Sequence, residues 1–198
     1  PLQVCEGANV NMTVSSPGAV SYTWSGPGSF TSAVQSPTLI AQLNSAGIYS
    51  VVVANVFSCT TIGQSVPVTI IPTPVVTVSA SPGIAVCYPA NISFCSNAPG
   101  ATSYSWAGPN SFTAAIANPV LNSAPPSSSG IYTVSASNNN CAGTNTLSVL
   151  IQPSPTLTAT GATVCTGQPA LLTATGAAGY LWTGPAGFTA TTPGITVP

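Results

Sequence analysis

The sequence predicts an all-β fold, built as antiparallel β-sandwiches strung in tandem. Three observations lead there. A set of short motifs recurs along the chain, apolar and polar residues alternate over short runs, and twenty prolines and eighteen glycines are scattered through 198 residues. Alternation with period two marks a half-buried strand. Scattered Pro and Gly divide a chain into many turns and leave few long helices.

The recurrence is the first of these to justify, because internal repeats set the architecture. Tyr22-Thr23-Trp24-Ser25-Gly26-Pro27 returns as Tyr104-Ser105-Trp106-Ala107-Gly108-Pro109 and as Tyr180-Leu181-Trp182-Thr183-Gly184-Pro185. A phenylalanine follows each time, at Phe30, Phe112 and Phe188. The tryptophans stand 82 and 76 residues apart. A second motif, Gly47-Ile48-Tyr49-Ser50-Val51, returns as Gly130-Ile131-Tyr132-Thr133-Val134. Cysteines keep step: Cys5, Cys87 and Cys165 each precede an alternating run, and Cys59 and Cys141 follow the Gly-Ile-Tyr segments. The predicted units are repeat 1 at residues 1–72 with its first strand missing, repeat 2 at 73–153, complete, and repeat 3 at 154–198 without its last strands. A half-sandwich cannot bury its own core, so the chain is expected to be a piece of a longer array. Pro72/Pro74 and Pro153/Pro155 give stiff, extended joints.

Within repeat 2 the alternation places strands in order. Val76 and Val78 suggest strand A, Ile92 and Phe94 strand B, and Tyr104 and Trp106 strand C. Val120 falls near strand E. Tyr132, Val134 and Ala136 suggest F, and Leu147, Val149 and Ile151 suggest G. Seven short strands in about 80 residues fit a β-sandwich.

Charge then limits function. The chain has no Lys, Arg or His, and Glu6 is the sole acid, so charged residues make up 1% against about 25% in an ordinary soluble domain. Nucleic acid is excluded as a partner because no side chain can neutralise phosphates. Acid–base catalysis has only Glu6, Cys and Tyr to draw on, and a serine nucleophile would lack a base. Zinc, calcium and phosphate-loop chemistry lack their ligands. The expectation is a non-catalytic protein without cofactor or metal. No apolar stretch reaches the 18 residues of a membrane-spanning helix, and an export signal is expected outside these residues. Six cysteines without metal-ligand company read as disulfides in an oxidising compartment, extracellular or at the cell surface. A surface with almost no charge is not self-repelling, so copies of the chain are its expected partners.

Ser45-Ala46-Gly47-Ile48-Tyr49 and Ser128-Ser129-Gly130-Ile131-Tyr132 resemble the tyrosine-corner region of immunoglobulin domains, and the strand-C Trp is similar too. The usual strand-F cysteine is replaced by Val51 and Val134, facing Met12 and Phe94 in strand B. Taken with the cysteine placement, the motifs resemble Ig-like or PKD-like repeats of long secreted adhesins of Bacteroidota, many carried by the type IX secretion route. The resemblance implies tandem Ig-like sandwiches at a cell surface. It implies no particular ligand.

Two cysteine pairings follow. Pairing within each repeat joins Cys5 to Cys59 and Cys87 to Cys141. Immunoglobulin topology instead sets the turn before strand B and the F–G loop at opposite ends of one sandwich, roughly 20 Å apart along a six-residue strand, beyond the roughly 7 Å that a disulfide spans. In a head-to-tail array Cys5 would meet Cys141 of the next repeat, leaving Cys87 for an F–G cysteine of repeat 3 and Cys59 for a preceding repeat. Both pairings stand at this point. Cys95, beside Phe94 and facing away from the core, is a free thiol or an intermolecular cross-link.

Trp24, Trp106, Trp182, Tyr49, Tyr132, Val51 and Val134 are the expected structural core. The functional expectation is a structural segment of a filament, stalk or adhesin shaft, self-associating and stiffened by disulfides. The alternative is an adhesive module that recognises glycans or a cell-surface protein through loops such as Asn138-Asn139-Asn140.

Overall fold

The structure, a computed structural model, describes residues 1–197. Repeat 1 contributes β1 (Leu2–Cys5), β2 (Asn9–Asn11), β3 (Ala19–Gly26), β4 (Phe30–Ser32), β5 (Thr38–Ile40), β6 (Ser50–Asn55), β7 (Thr60–Gln64) and β8 (Val68–Ile71). Repeat 2 contributes β9 (Thr77–Ser81), β10 (Ala85–Cys87), β11 (Ala90–Asn97), β12 (Ser103–Gly108), β13 (Phe112–Ala114), β14 (Val120–Ala124), β15 (Gly130–Asn138) and β16 (Cys141–Gln152). Repeat 3 contributes β17 (Thr158–Thr160), β18 (Ala170–Thr175), β19 (Trp182–Thr183), β20 (Thr189–Ala190) and β21 (Gly194–Val197).

Repeat 2 shows the plan. A three-stranded sheet ordered β14-β11-β9 faces a five-stranded sheet ordered β10-β16-β15-β12-β13. In immunoglobulin terms these are E-B-A and A′-G-F-C-C′. The fold is therefore an all-β, immunoglobulin-like sandwich. Its core follows from the alternation: Ile92 and Phe94 of β11, Trp106 of β12, and Tyr132, Val134 and Ala136 of β15 point inward and are buried, while Asn91 and Cys95 point out. Val51 and Met12 occupy the same core in repeat 1, as Val134 and Phe94 do in repeat 2, so an apolar contact fills the place of the inter-sheet disulfide.

Three details depart from the sequence expectation. Repeat 2 has an eighth strand, β10, which pairs parallel with β16 after the chain crosses sheets at Ser81-Pro82. β1 is its counterpart in repeat 1 and pairs parallel with β8. Val120 opens β14 but faces solvent, and Leu121 carries the inward contact. In repeat 1 the last strand is split into β7 and β8 around Pro67, which cannot donate to a ladder.

Both motifs gain a physical reason. Tyr49 and Tyr132 donate their hydroxyls to the carbonyls of Ser45 and Ser128, at 2.6 and 2.8 Å. Burial pushes both phenols above their ordinary pKa, with the Ser45 bond partly opposing this at Tyr49. Each ring lies where a Cβ on Gly26 or Gly108 would stand, so the glycine of the Trp-x-Gly-Pro motif makes room for the tyrosine of the other motif. Phe30 and Phe112 close over those rings edge-on, centroids 5.5 and 5.4 Å apart.

Each tryptophan donates its indole N–H to the carbonyl ten residues on: Trp24 to Val34 at 2.9 Å, Trp106 to Ile116 at 3.1 Å, and Trp182 to Thr192 at 2.9 Å. Trp24 and Trp106 are core residues, buried with their polar atom satisfied. Trp182 is only half-buried. Repeat 3 has the three-stranded sheet β17-β18-β21 and the pair β19-β20, with no counterpart of β15 or β16 among the described residues.

Candidate functional site: the junction between repeats

Cys5 and Cys141 form a disulfide, with Cα atoms 5.4 Å apart and 136 residues between them in sequence. The within-repeat pairings Cys5–Cys59 and Cys87–Cys141 are thereby corrected. The reason is the geometry of the two strands. Cys5 ends β1 at the point where β8 leaves repeat 1, opposite Ile71. Cys141 opens β16 at the far tip of repeat 2, the tip that faces repeat 1. Cys59 lies at the other end of its own sandwich and is exposed.

The tip that carries Cys141 is a two-residue hairpin. Asn138 pairs with Cys141, and Asn139 and Asn140 both have positive φ, at 45° and 69°. This is the type I′ geometry that asparagine tolerates. The Asn-rich loop, singled out as a binding loop in the alternative reading, is thus a turn that presents Cys141 to the junction, where that cysteine is buried.

The linker is clamped. Glu6 donates its backbone N–H to the Ile71 carbonyl at 2.9 Å, and Thr73 Oγ1 donates to the Glu6 carbonyl at 3.3 Å. On the other side, Asn145 Nδ2 donates to the Val76 carbonyl at 2.7 Å, and Gly143 leaves the space that the Pro74 carbonyl occupies. Glu6 itself is exposed, in the turn after Cys5.

The same clamp recurs one repeat later. Tyr88, the residue after Cys87, donates its N–H to the Gln152 carbonyl at 2.8 Å, and Ser154 Oγ donates to the Tyr88 carbonyl. Cys87 ends β10 opposite Gln152, as Cys5 ends β1 opposite Ile71. Cys87 is exposed and unpaired. Cys165 is also exposed, and its carbonyl accepts from Gln168 at 3.0 Å in the turn that Cys5 makes with Ala8 at 3.1 Å.

Cys59 closes a different tip from Cys141. Asn55 Oδ1 accepts from the N–H groups of Phe57 and Cys59 at 2.9 and 3.0 Å, and Phe57 stands 83% exposed. Cys95 faces outward on β11, opposite Ser79. The matching outward positions are threonines, Thr13 in repeat 1 and Thr175 in repeat 3. Sequence reading missed the clamps, although Thr73 and Ser154, each between two prolines, carry their signal.

Among the described residues no group of three or more His, Cys, Asp or Glu gathers to hold a metal. Among the described residues no helix is long and apolar enough to cross a membrane. Tyr49 and Tyr132 are the titratable groups with shifted pKa, and both are committed to tyrosine corners.

Strand order and register define the class as immunoglobulin-like β-sandwiches. No protein-family model matches the chain, and no curated protein matches it. Among solved structures, an amphioxus IgVJ-C2 molecule is 13% identical, covering 75% of this chain and 99% of its own, with a TM-score of 0.37. The complex of the mouse coronavirus receptor-binding domain with its murine receptor contains a chain 11% identical, covering 75% and 95%, with a TM-score of 0.40. Murine CEACAM1b is 13% identical, covering 76% and 96%, with a TM-score of 0.35. At that level the likeness says nothing of what this chain binds.

Proposed function

We propose that the chain is a non-catalytic structural segment of an extracellular stalk, adhesin shaft or filament. Its three repeats, at 1–72, 73–153 and 154–198, are immunoglobulin-like domains joined head to tail by clamped junctions, the first of them stapled by a disulfide. The observation that carries this reading is the Cys5–Cys141 bond, because it fixes one repeat on the next instead of bracing a single sandwich. A binding module on a flexible tether has no use for such a brace. The disulfide fits an oxidising compartment, and the resemblance to Ig-like repeats of secreted Bacteroidota adhesins fits a cell-surface placement.

Lateral association is the second part of the proposal. With no positive side chain and one acid, neighbouring copies meet no repulsion. The edge strands carry no charge to guard them against pairing. Copies of the chain are the proposed partners.

The test is electron microscopy of native, unreduced material. Ordered filaments with an axial spacing of a few sandwich lengths are expected. Dispersed flexible strings that bind a glycan array would overturn the filament reading in favour of the adhesive one.

A further inference from the structure

Repeat 3 holds an open apolar groove of about 590 Å³, lined by Leu172, Trp182, Gly184, Phe188 and Ile195 among others. Strand register equates these residues with Ile92, Trp106, Gly108, Phe112 and Leu121 of repeat 2. There the same five positions are covered by Tyr132, Val134 and Val149 of the β15–β16 hairpin. We propose that the groove of repeat 3 seats a β-hairpin of the same kind as Gly130–Gln152, with a tyrosine over Gly184 and a cysteine at its turn, and that seating it closes a second staple on Cys87.

The groove is shaped for that occupant. In repeats 1 and 2 the glycine after the tryptophan exists to admit a tyrosine ring, and the following phenylalanine closes over it. Repeat 3 keeps both, as Gly184 and Phe188, and keeps the indole bond of Trp182 to Thr192. β19 pairs only with β20, so its other edge is free for an added strand, as β12 receives β15 on the edge away from β13.

The second arm rests on the junction. The Tyr88 clamp holds Cys87 at the end of β10 as the Glu6 clamp holds Cys5 at the end of β1. A hairpin seated in repeat 3 as β15–β16 is seated in repeat 2 brings its turn to Cys87, as Cys141 is brought to Cys5. The bond forms by thiol–disulfide exchange. The Cys87 thiolate attacks a disulfide on the hairpin cysteine, a new S–S bond forms, and the displaced thiolate leaves and takes up a proton.

This inference rests on the reading of the chain as a stapled array. The experiment uses the 198-residue chain and a synthetic peptide with the sequence of residues 127–152, its cysteine carried as the glutathione mixed disulfide. Glutathione is then the leaving thiol. The peptide has no tryptophan, so iodide quenching reports on the chain alone, where Trp182 is the accessible indole. The expected result is loss of the iodide-quenchable emission, with peptic peptides from unreduced protein showing the peptide on Cys87. Seating raises the local concentration, so Cys87 gains on Cys59, Cys95 and Cys165 by roughly tenfold or more.

A Cys87→Ser chain should keep the protection of Trp182 and lose the cross-link. A peptide with Tyr132→Ala should lose both. Unchanged quenching of Trp182, or a cross-link spread evenly over the four exposed thiols, overturns the proposal. The Cys5–Cys141 peptide in the same digest separates the two readings: its absence sinks the stapled array itself, whereas its presence without a Cys87 adduct sinks this inference alone.

Discussion

The junction between repeats 1 and 2 and the junction between repeats 2 and 3 share their parts and differ in their state. Both have a strand ending in cysteine beside the departing strand, a clamp from the next residue, and a hydroxyl between two prolines. The first is closed by Cys141, and the second leaves Cys87 exposed. The difference lies in the neighbour. Repeat 2 has β15 and β16 to carry a cysteine back across the joint, and repeat 3 has no counterpart among the described residues. The clamp is thus encoded locally, within a few residues of the linker. The staple requires a folded sandwich on the far side.

Making the two junctions alike is the largest perturbation. Cys141→Ser opens the first, and the loss of loop-closure entropy bounds the destabilisation of repeats 1 and 2 at about 5 kcal/mol. Urea unfolding should show it, and small-angle scattering should show a broader spread of shapes. Next, Ile92→Ala should cost repeat 2 about 2–5 kcal/mol, because Ile92 is fully buried. The matching Leu172→Ala should cost much less, since Leu172 is only half-buried. Equal losses would mean that the core of repeat 3 is covered in solution.

Gly108→Ala drives a methyl into the Tyr132 ring and should cost about 1–3 kcal/mol. Gly184→Ala meets Phe188 at 3.4 Å, which leaves room for a small adjustment, and should change little until a tyrosine occupies the groove. Tyr132→Phe should cost less than Gly108→Ala. It removes one buried hydrogen bond, about 1 kcal/mol. It also changes the alkaline limb. Burial holds the folded pKa of Tyr132 above its ordinary 10, so its contribution is fully present below pH 10 and is lost as pH rises through the folded pKa. The variant should lose stability less steeply above pH 10 in an alkaline unfolding series.

Much of this was legible in the sequence because the motifs bind each other. Gly and Tyr recur together since the tyrosine ring fills the space that the glycine's missing Cβ leaves. The cross-repeat staple could be posed from Cys5 and Cys141 but not decided, because the choice depends on which end of a sandwich each cysteine occupies. β10 was not legible. A parallel strand of three residues is too short to show alternation, and its partner lies 65 residues on. Val120 misled because the inward position falls to Leu121, one residue on, and a slip of one reverses every side chain.

The Cys5–Cys141 bond also decides how a pulled chain carries force. Tension applied at the two ends runs through residues 1–5, crosses the sulfur atoms and continues from Cys141. Residues 6–140 form a closed loop that lies off this line, holding nearly all of repeat 1 and the strands β9 to β15. No pull from the ends can stretch that loop while the bond stands. Reduction would release roughly 45 nm of extra contour, at about 3.4 Å for each residue. A thiol in the surroundings would thus set how far the chain gives under load.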